Sequence, residues 1–136
     1  MEGTIRTLLE ADRALVRERF IACVDGVLAA HRCTGTIEWE LPAYPALNND
    51  PAQVAVFEKV AAAALGAEKV GRMEAPVMGG EDFAYYTSHV PCCFFMIGLR
   101  PHDGRTVSGL HTPTFDFTDE AIATGVELFC RLALRA

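Results

Sequence analysis

No run of apolar residues in this chain approaches the roughly 20 that an α-helix needs to cross a bilayer. The longest, 54–65 and 90–99, suit a core helix and a buried strand. No basic segment precedes an apolar stretch near Met1, so no signal peptide is expected. Basic residues are scarce, 12 against 18 aspartates and glutamates for a net charge of −6. That balance excludes the clustered positive surface of a nucleic-acid binder. Arg13, Arg17 and Arg19 alternate with acids and read as a solvated helix face. Five cysteines, an odd number without framework spacing, exclude a disulfide scaffold and fit a reducing cytoplasm. There is no Ser-His-Asp elbow, Walker loop, Cys-x-x-Cys pair, internal repeat or low-complexity tract.

What the chain has in quantity is apolar surface. Its 136 residues suit one domain of ordinary core size, yet 51% of them are hydrophobic and the mean hydropathy is +0.18. So rich a composition implies a covering partner, from another chain or from further sequence.

Periodicity predicts a mixed α/β organisation. Residues 3–8 alternate apolar and polar and read as a short strand. Asp12 is placed to cap a helix over 13–31, with Val16, Phe20, Cys23, Val27 and either Val24 or Leu28 on its buried face and Gly26 as its weak point. Residues 34–41 alternate again, Ile37, Trp39 and Leu41 against Glu38 and Glu40. This strand–helix–strand unit reads as half of a small α/β sandwich with one wet sheet face.

Pro42, Pro45 and the run Asn48-Asn49-Asp50-Pro51 mark a boundary. Asp50 as N-cap, Pro51 at the first helical position and Gln53 three residues after the cap predict a helix start. Val54, Phe57, Val60, Ala61, Ala64 and Leu65 form its buried stripe and Gly66 its stop. A strand is expected over 69–75, then a glycine turn at Gly79-Gly80 opening a short helix through Ser88. The continuously apolar stretch 91–99 predicts a central strand covered on both faces. A loop over 100–110 leads to His111, and Thr118 or Asp116 caps a final helix carrying Ile122, Val126, Phe129 and Ala133.

Two places carry candidate chemistry. Gly79-Gly80 lets the backbone approach a ligand, and the helix start after it offers N–H groups to an anion such as a carboxylate. Glu81 and Asp82 oppose that anion unless they point away or are paired; the alternative is a strand-to-helix turn whose acids favour the helix dipole. His111 is a metal ligand, a general acid/base, or a hydrogen-bonded residue at a helix entrance. His31 ends a helix and reads as structural, while His89 and His102 read as exposed. Cys92 and Cys93 face opposite ways on a strand and read as packing residues.

The segments Gly3-Thr4-Ile5-Arg6-Thr7, Met78-Gly79-Gly80-Glu81-Asp82-Phe83-Ala84-Tyr85-Tyr86 and Gly109-Leu110-His111-Thr112-Pro113-Thr114-Phe115 with Asp119-Glu120 occur in that order. Together they resemble the C-terminal portion of the metal-dependent amidohydrolases, the metallopeptidase family 20 type. These include hippurate hydrolase, N-acyl-amino-acid deacylases and auxin-conjugate hydrolases. The resemblance implies a zinc-peptidase-like catalytic domain interrupted by a smaller α/β-sandwich dimerisation domain. Residues 1–43 then match part of the dimerisation (satellite) domain and 44–136 the C-terminal part of the catalytic domain. It further implies zinc or manganese, His111 as the family's last metal ligand, and Gly79, Gly80 and Glu81 lining the pocket for an N-acyl amino acid or small peptide.

The family's other metal ligands and its glutamate general base fall upstream of the matched portion, so no catalytic residue is assigned here. The expectation is metal-dependent amide hydrolysis by resemblance, with this chain inactive by itself. The alternatives are one half of a split enzyme, completed by a missing N-terminal half, or a non-catalytic interaction unit able to form a homodimer. Neither a nucleic-acid nor a membrane partner is expected.

Overall fold

Among the described residues the regular secondary structure is helical. The computed structural model describes residues 1–99, 103–104 and 106–134; the expectation for His102 lies outside them. It contains helices α1 (Glu10–His31), α2 (Pro51–Leu65), α3 (Ala84–Thr87) and α4 (Glu120–Leu134), with a 3₁₀ turn at Ala67–Lys69. The chain forms two compact units: residues 1–48 with 73–91, and residues 49–72 with 92–136. Among the described residues no helix is long and apolar enough to cross a membrane.

In the first unit α1 starts earlier than predicted. Leu9 is its N-cap without a side-chain bond, so Asp12 is no cap but a first-turn acid beside Glu10, where the helix dipole favours it. The helix runs through Gly26 unbroken and ends on Arg32, left-handed at φ 52°. Cys33 N–H closes back on the Leu28 carbonyl at 2.9 Å.

No residue of α1 is buried, and its covered face is rotated from the expected one. Val16, Phe20 and Val27 are exposed, as is Cys23, whereas Ile21, Val24 and Leu28 are half-buried. The cause is the extended segment that follows. It runs back antiparallel along the helix, with Gly35 against Leu28, Trp39 edge-on to Phe20 at 5.8 Å and under the Arg17 guanidinium at 4.7 Å, and Ala43 accepting from Arg13.

The second unit is built on α2. Asp50 caps it as predicted, Oδ1 accepting from Ala52 N–H and Gln53 N–H at 3.0 Å each, with Pro51 in the first turn. The Asp50 N–H goes to the Cys92 carbonyl at 2.9 Å. Val60 and Ala61 are buried and Val54, Phe57, Ala64 and Leu65 half-buried, so the predicted stripe is intact. Gly66 ends the helix at φ 99°, a conformation an L side chain resists. Beyond the 3₁₀ turn, Arg72 grips Glu58 of α2 with two bonds of 2.6 and 3.0 Å, holding the Glu58 carboxyl below its ordinary value.

α4 packs on α2 through a face other than the predicted one. Leu128 is 2% exposed, with Ala121, Gly125 and Leu132 half-buried alongside. Ile122, Val126 and Phe129 face outward at 54, 58 and 64% exposure, and Ala133 is exposed as well.

The expected strands are extended segments without a β-ladder among the described residues. A ladder requires a second backbone alongside, and these segments pair otherwise. Phe94 bonds through both N–H and carbonyl to the Asn49 side chain, and 33–43 lies on a helix rather than beside a strand. Nor is 91–99 covered on both faces: Phe95 stacks on Phe57 at 4.3 Å and meets Phe129 at 5.4 Å, while Met96 is 60% exposed. Of the α/β reading, the described residues thus show the helices and no formed sheet.

Candidate functional site

The Gly79-Gly80 pair lies in the first unit, in the exposed stretch that ends at Gly80. The turn expected at the pair falls instead at Asp82–Phe83, just ahead of α3, and neither glycine has a positive φ. Gly80 is a close-approach position: a Cβ there would stand 3.2 Å from Tyr44 Cδ2 and 3.5 Å from Arg6 Nη1. That Arg6 nitrogen donates to the Met78 carbonyl at 2.8 Å. A guanidinium carries five N–H donors; this bond ties one of those of Arg6 to the backbone beside Gly79. Tyr44, in turn, meets Tyr85 of α3 edge-on at 5.9 Å.

Glu81 is half-buried, and its Oε1 accepts from Phe83 N–H at 3.2 Å. It is therefore paired, and opposes an anion less than an unpaired acid would; Asp82 is exposed. The predicted anion cradle at the helix start is corrected in one respect. The N–H groups of Ala84, Tyr85 and Tyr86 bond to the carbonyls of Glu81, Asp82 and Phe83, so they are not free for an anion, and the charged group beside Gly80 is Arg6. Sequence reasoning missed Arg6. Its one signal was a lone arginine in an alternating segment, and its partner at Met78 is distant in sequence.

His111 belongs to the second unit, in a double turn nine residues ahead of α4 rather than at a helix entrance. Its backbone is left-handed at φ 63°, uncommon for a residue with a Cβ. Three bonds hold the turn: Thr112 Oγ1 to the Gly109 carbonyl at 2.8 Å, Phe115 N–H to the Thr112 carbonyl at 3.0 Å, and Ser108 hydroxyl with Thr114 hydroxyl at 2.6 Å. The imidazole is exposed. Among the described residues no group of three or more His, Cys, Asp or Glu gathers to hold a metal ion, and one imidazole does not make a centre of three or four ligands. The described residues therefore do not by themselves constitute a metal site.

None of the five cysteines, all among the described residues, is in a disulfide. Burial, with Glu58 and Cys92 adding negative charge, pushes the Cys93 thiol up from its ordinary value.

Comparison with known proteins agrees with these motifs. The chain is 31% identical over 134 residues to an N-acetylcysteine deacetylase of Bacillus subtilis, covering 98% of this chain and 33% of that protein. It is 33% identical over 129 residues to an N-acetyldiaminopimelate deacetylase of Bacillus licheniformis (94% and 32%). To an IAA-amino acid hydrolase of Arabidopsis thaliana it is 26% identical over 136 residues (98% and 31%). It thus spans about a third of the length of the curated relatives it matches. No solved structure matches the chain significantly. The model of Peptidase family M20/M25/M40 matches residues 4–135, nearly the whole chain, and the chain belongs to that family.

Proposed function

We propose that this chain supplies part of the substrate pocket and one metal ligand to a metal-dependent hydrolase of N-acyl amino acids or small peptides, and that it is inactive alone. The observation carrying this reading is the family match over 4–135. The names of the relatives supply its chemistry: two deacetylases and an amino-acid-conjugate hydrolase each act on an acylated amino acid. In this reading Gly79, Gly80 and Glu81 line the pocket, and Arg6 beside them receives the substrate carboxylate. A guanidinium binds a carboxylate through parallel N–H donors. His111 contributes one ligand to a zinc or manganese centre completed by groups outside this chain. Residues 1–43 act as the satellite part and 44–136 as the catalytic part, in a cytoplasmic enzyme.

The test combines this chain with the part of the Bacillus subtilis N-acetylcysteine deacetylase outside the matched third. Amine release is assayed from hippurate and other N-acyl amino acids, with and without Mn²⁺ or Zn²⁺. The mixture is expected to turn over only with metal and the chain alone not at all. Metal-dependent turnover by the chain alone would overturn its incompleteness.

A second reading, a non-catalytic interaction unit, draws on the outward apolar face of α4, where Ile122, Val126 and Phe129 are exposed. A face of that kind is a common association surface. Self-association without any gain of activity in the mixture would favour it.

A further inference from the structure

We infer that Tyr44 is a positioning residue for the proposed anion site, its ring acting as a wedge that holds Arg6 against the Gly79-Gly80 segment. The Tyr44 ring and Arg6 Nη1 both lie within 3.5 Å of the point where a Gly80 Cβ would stand. The absent side chain thus leaves a slot that the ring edge and the guanidinium share. The ring also meets Tyr85 of α3 edge-on, at 81° and 5.9 Å. It therefore links Gly80 to α3 although it is itself 53% exposed. Residues so exposed contribute little to a core, and the packing of Tyr44 is spent on holding its neighbours.

Arg6 has one hydrogen bond to anchor it, to the Met78 carbonyl, and a long side chain held at one point keeps much of its rotamer freedom. The ring wall removes part of that freedom before an anion arrives, which is how preorganisation raises affinity without adding a contact to the ligand. The phenol oxygen plays no part in this, so phenylalanine should serve as well as tyrosine. The inference of a ligand-related role rests on the carboxylate reading of Arg6 given above; the wedge itself rests on geometry alone.

The experiment follows the Arg6 Nε–Hε and Gly80 N–H signals by NMR in the wild-type chain and in Tyr44→Phe, Tyr44→Leu and Gly80→Ala, with thermal unfolding monitored in each. Tyr44→Leu is expected to mobilise the Arg6 side chain while Tyr44→Phe leaves it ordered. Should Tyr44→Leu fail to fold, Gly80→Ala gives the same information by pushing the ring from the turn side. Tyr85→Phe is the control: it keeps the edge-on contact and removes a hydroxyl that is buried without a hydrogen-bond partner among the described residues. Arg6 should then be unaffected. An Arg6 signal equally ordered in Tyr44→Leu and Gly80→Ala overturns the wedge.

Hippurate is then titrated against each variant combined with the unmatched part of the Bacillus subtilis deacetylase, because the chain is read as supplying only part of the pocket. Roughly tenfold weaker binding in Tyr44→Leu, about the worth of one charge-assisted hydrogen bond, with Tyr44→Phe unchanged, supports the ligand-related role; equal affinities overturn it. If no variant binds hippurate while Arg6 loosens in Tyr44→Leu, the wedge stands and the carboxylate reading of Arg6 falls.

Discussion

The side chain of Asn49 pairs with the backbone of Phe94 as a neighbouring strand would. Asn49 Nδ2 donates to the Phe94 carbonyl at 2.8 Å and its Oδ1 accepts the Phe94 N–H at 2.7 Å. One residue on, Asp50 N–H reaches the Cys92 carbonyl. A primary amide offers a donor and an acceptor side by side, the same pair that a peptide presents to an antiparallel neighbour. Asn49 and Asp50 therefore fix the register of the 91–99 segment against the start of α2 without any sheet.

Asn49→Ala should accordingly destabilise the second unit by about 1–2 kcal/mol, the net value of two exposed hydrogen bonds. Asn49→Asp should cost a similar amount, because it keeps the acceptor but turns a carboxylate oxygen toward the Phe94 carbonyl. Urea unfolding of the three proteins decides this; an Asn49→Ala midpoint equal to wild type would mean that the pairing contributes nothing.

The two apolar faces of α4 should respond in opposite ways to truncation. Leu128 is 2% exposed and Val126 58%. Leu128→Ala removes buried methyl groups and leaves a cavity, so about 2–4 kcal/mol of stability should be lost. Val126→Ala should change it by no more than about 0.5 kcal/mol. Equal losses measured by denaturant titration would reverse the assignment of the faces.

This contrast marks how far the sequence could be read. The start of α2 was legible because capping is local: Asp50, Pro51 and Gln53 lie within one turn of one another. α4 offers two stripes, 121/125/128/132 and 122/126/129/133, and periodicity cannot choose between them. The choice falls to tertiary contact. A Cβ on Gly125 would stand 3.3 Å from Ile97 Cδ1, so the small residue lets the helix sit close on that side.

The strands failed for the same reason. Alternation in 34–41 reports a one-sided environment, met here by α1, and says nothing about whether a second backbone supplies a ladder. In the candidate site the dipeptide Gly79-Gly80 does not form the turn expected of it, which falls at Asp82–Phe83 instead, and the Arg6–Met78 bond spans 72 positions, which no local signal can carry.

Thiol chemistry gives an independent check of the second unit. Cys23, Cys33 and Cys130 are exposed, whereas Cys93 is half-buried with its thiol pushed up by burial and by neighbouring negative charge. The thiolate is the reactive form. A raised value means less thiolate at any pH below it, so Cys93 should be alkylated by iodoacetamide more slowly than the three exposed cysteines near pH 8. Peptide mass spectrometry over a time course resolves the four sites; a Cys93 rate matching that of Cys130 across pH would show the thiol open to solvent and unperturbed.

His111 separates a backbone requirement from a chemical one. At φ 63° a residue with a Cβ carries a conformational cost of about 1–2 kcal/mol that glycine escapes, while glycine gives up about 0.5–1 kcal/mol through its freer unfolded chain. His111→Gly should therefore leave the unfolding midpoint near wild type or slightly above it, with the Thr112–Gly109 and Ser108–Thr114 bonds of the turn retained. Nothing in the packing of this exposed turn calls for an imidazole. If the side chain is a metal ligand, His111→Gly and His111→Ala should both lower the zinc or manganese content of the complex formed with the unmatched part of the Bacillus subtilis deacetylase, and amine release should fall with it. Elemental analysis of the purified complex reads the metal directly, apart from activity. Full metal occupancy in His111→Gly would remove the ligand role, and a collapse of the fold in that variant would show that the histidine serves the turn instead.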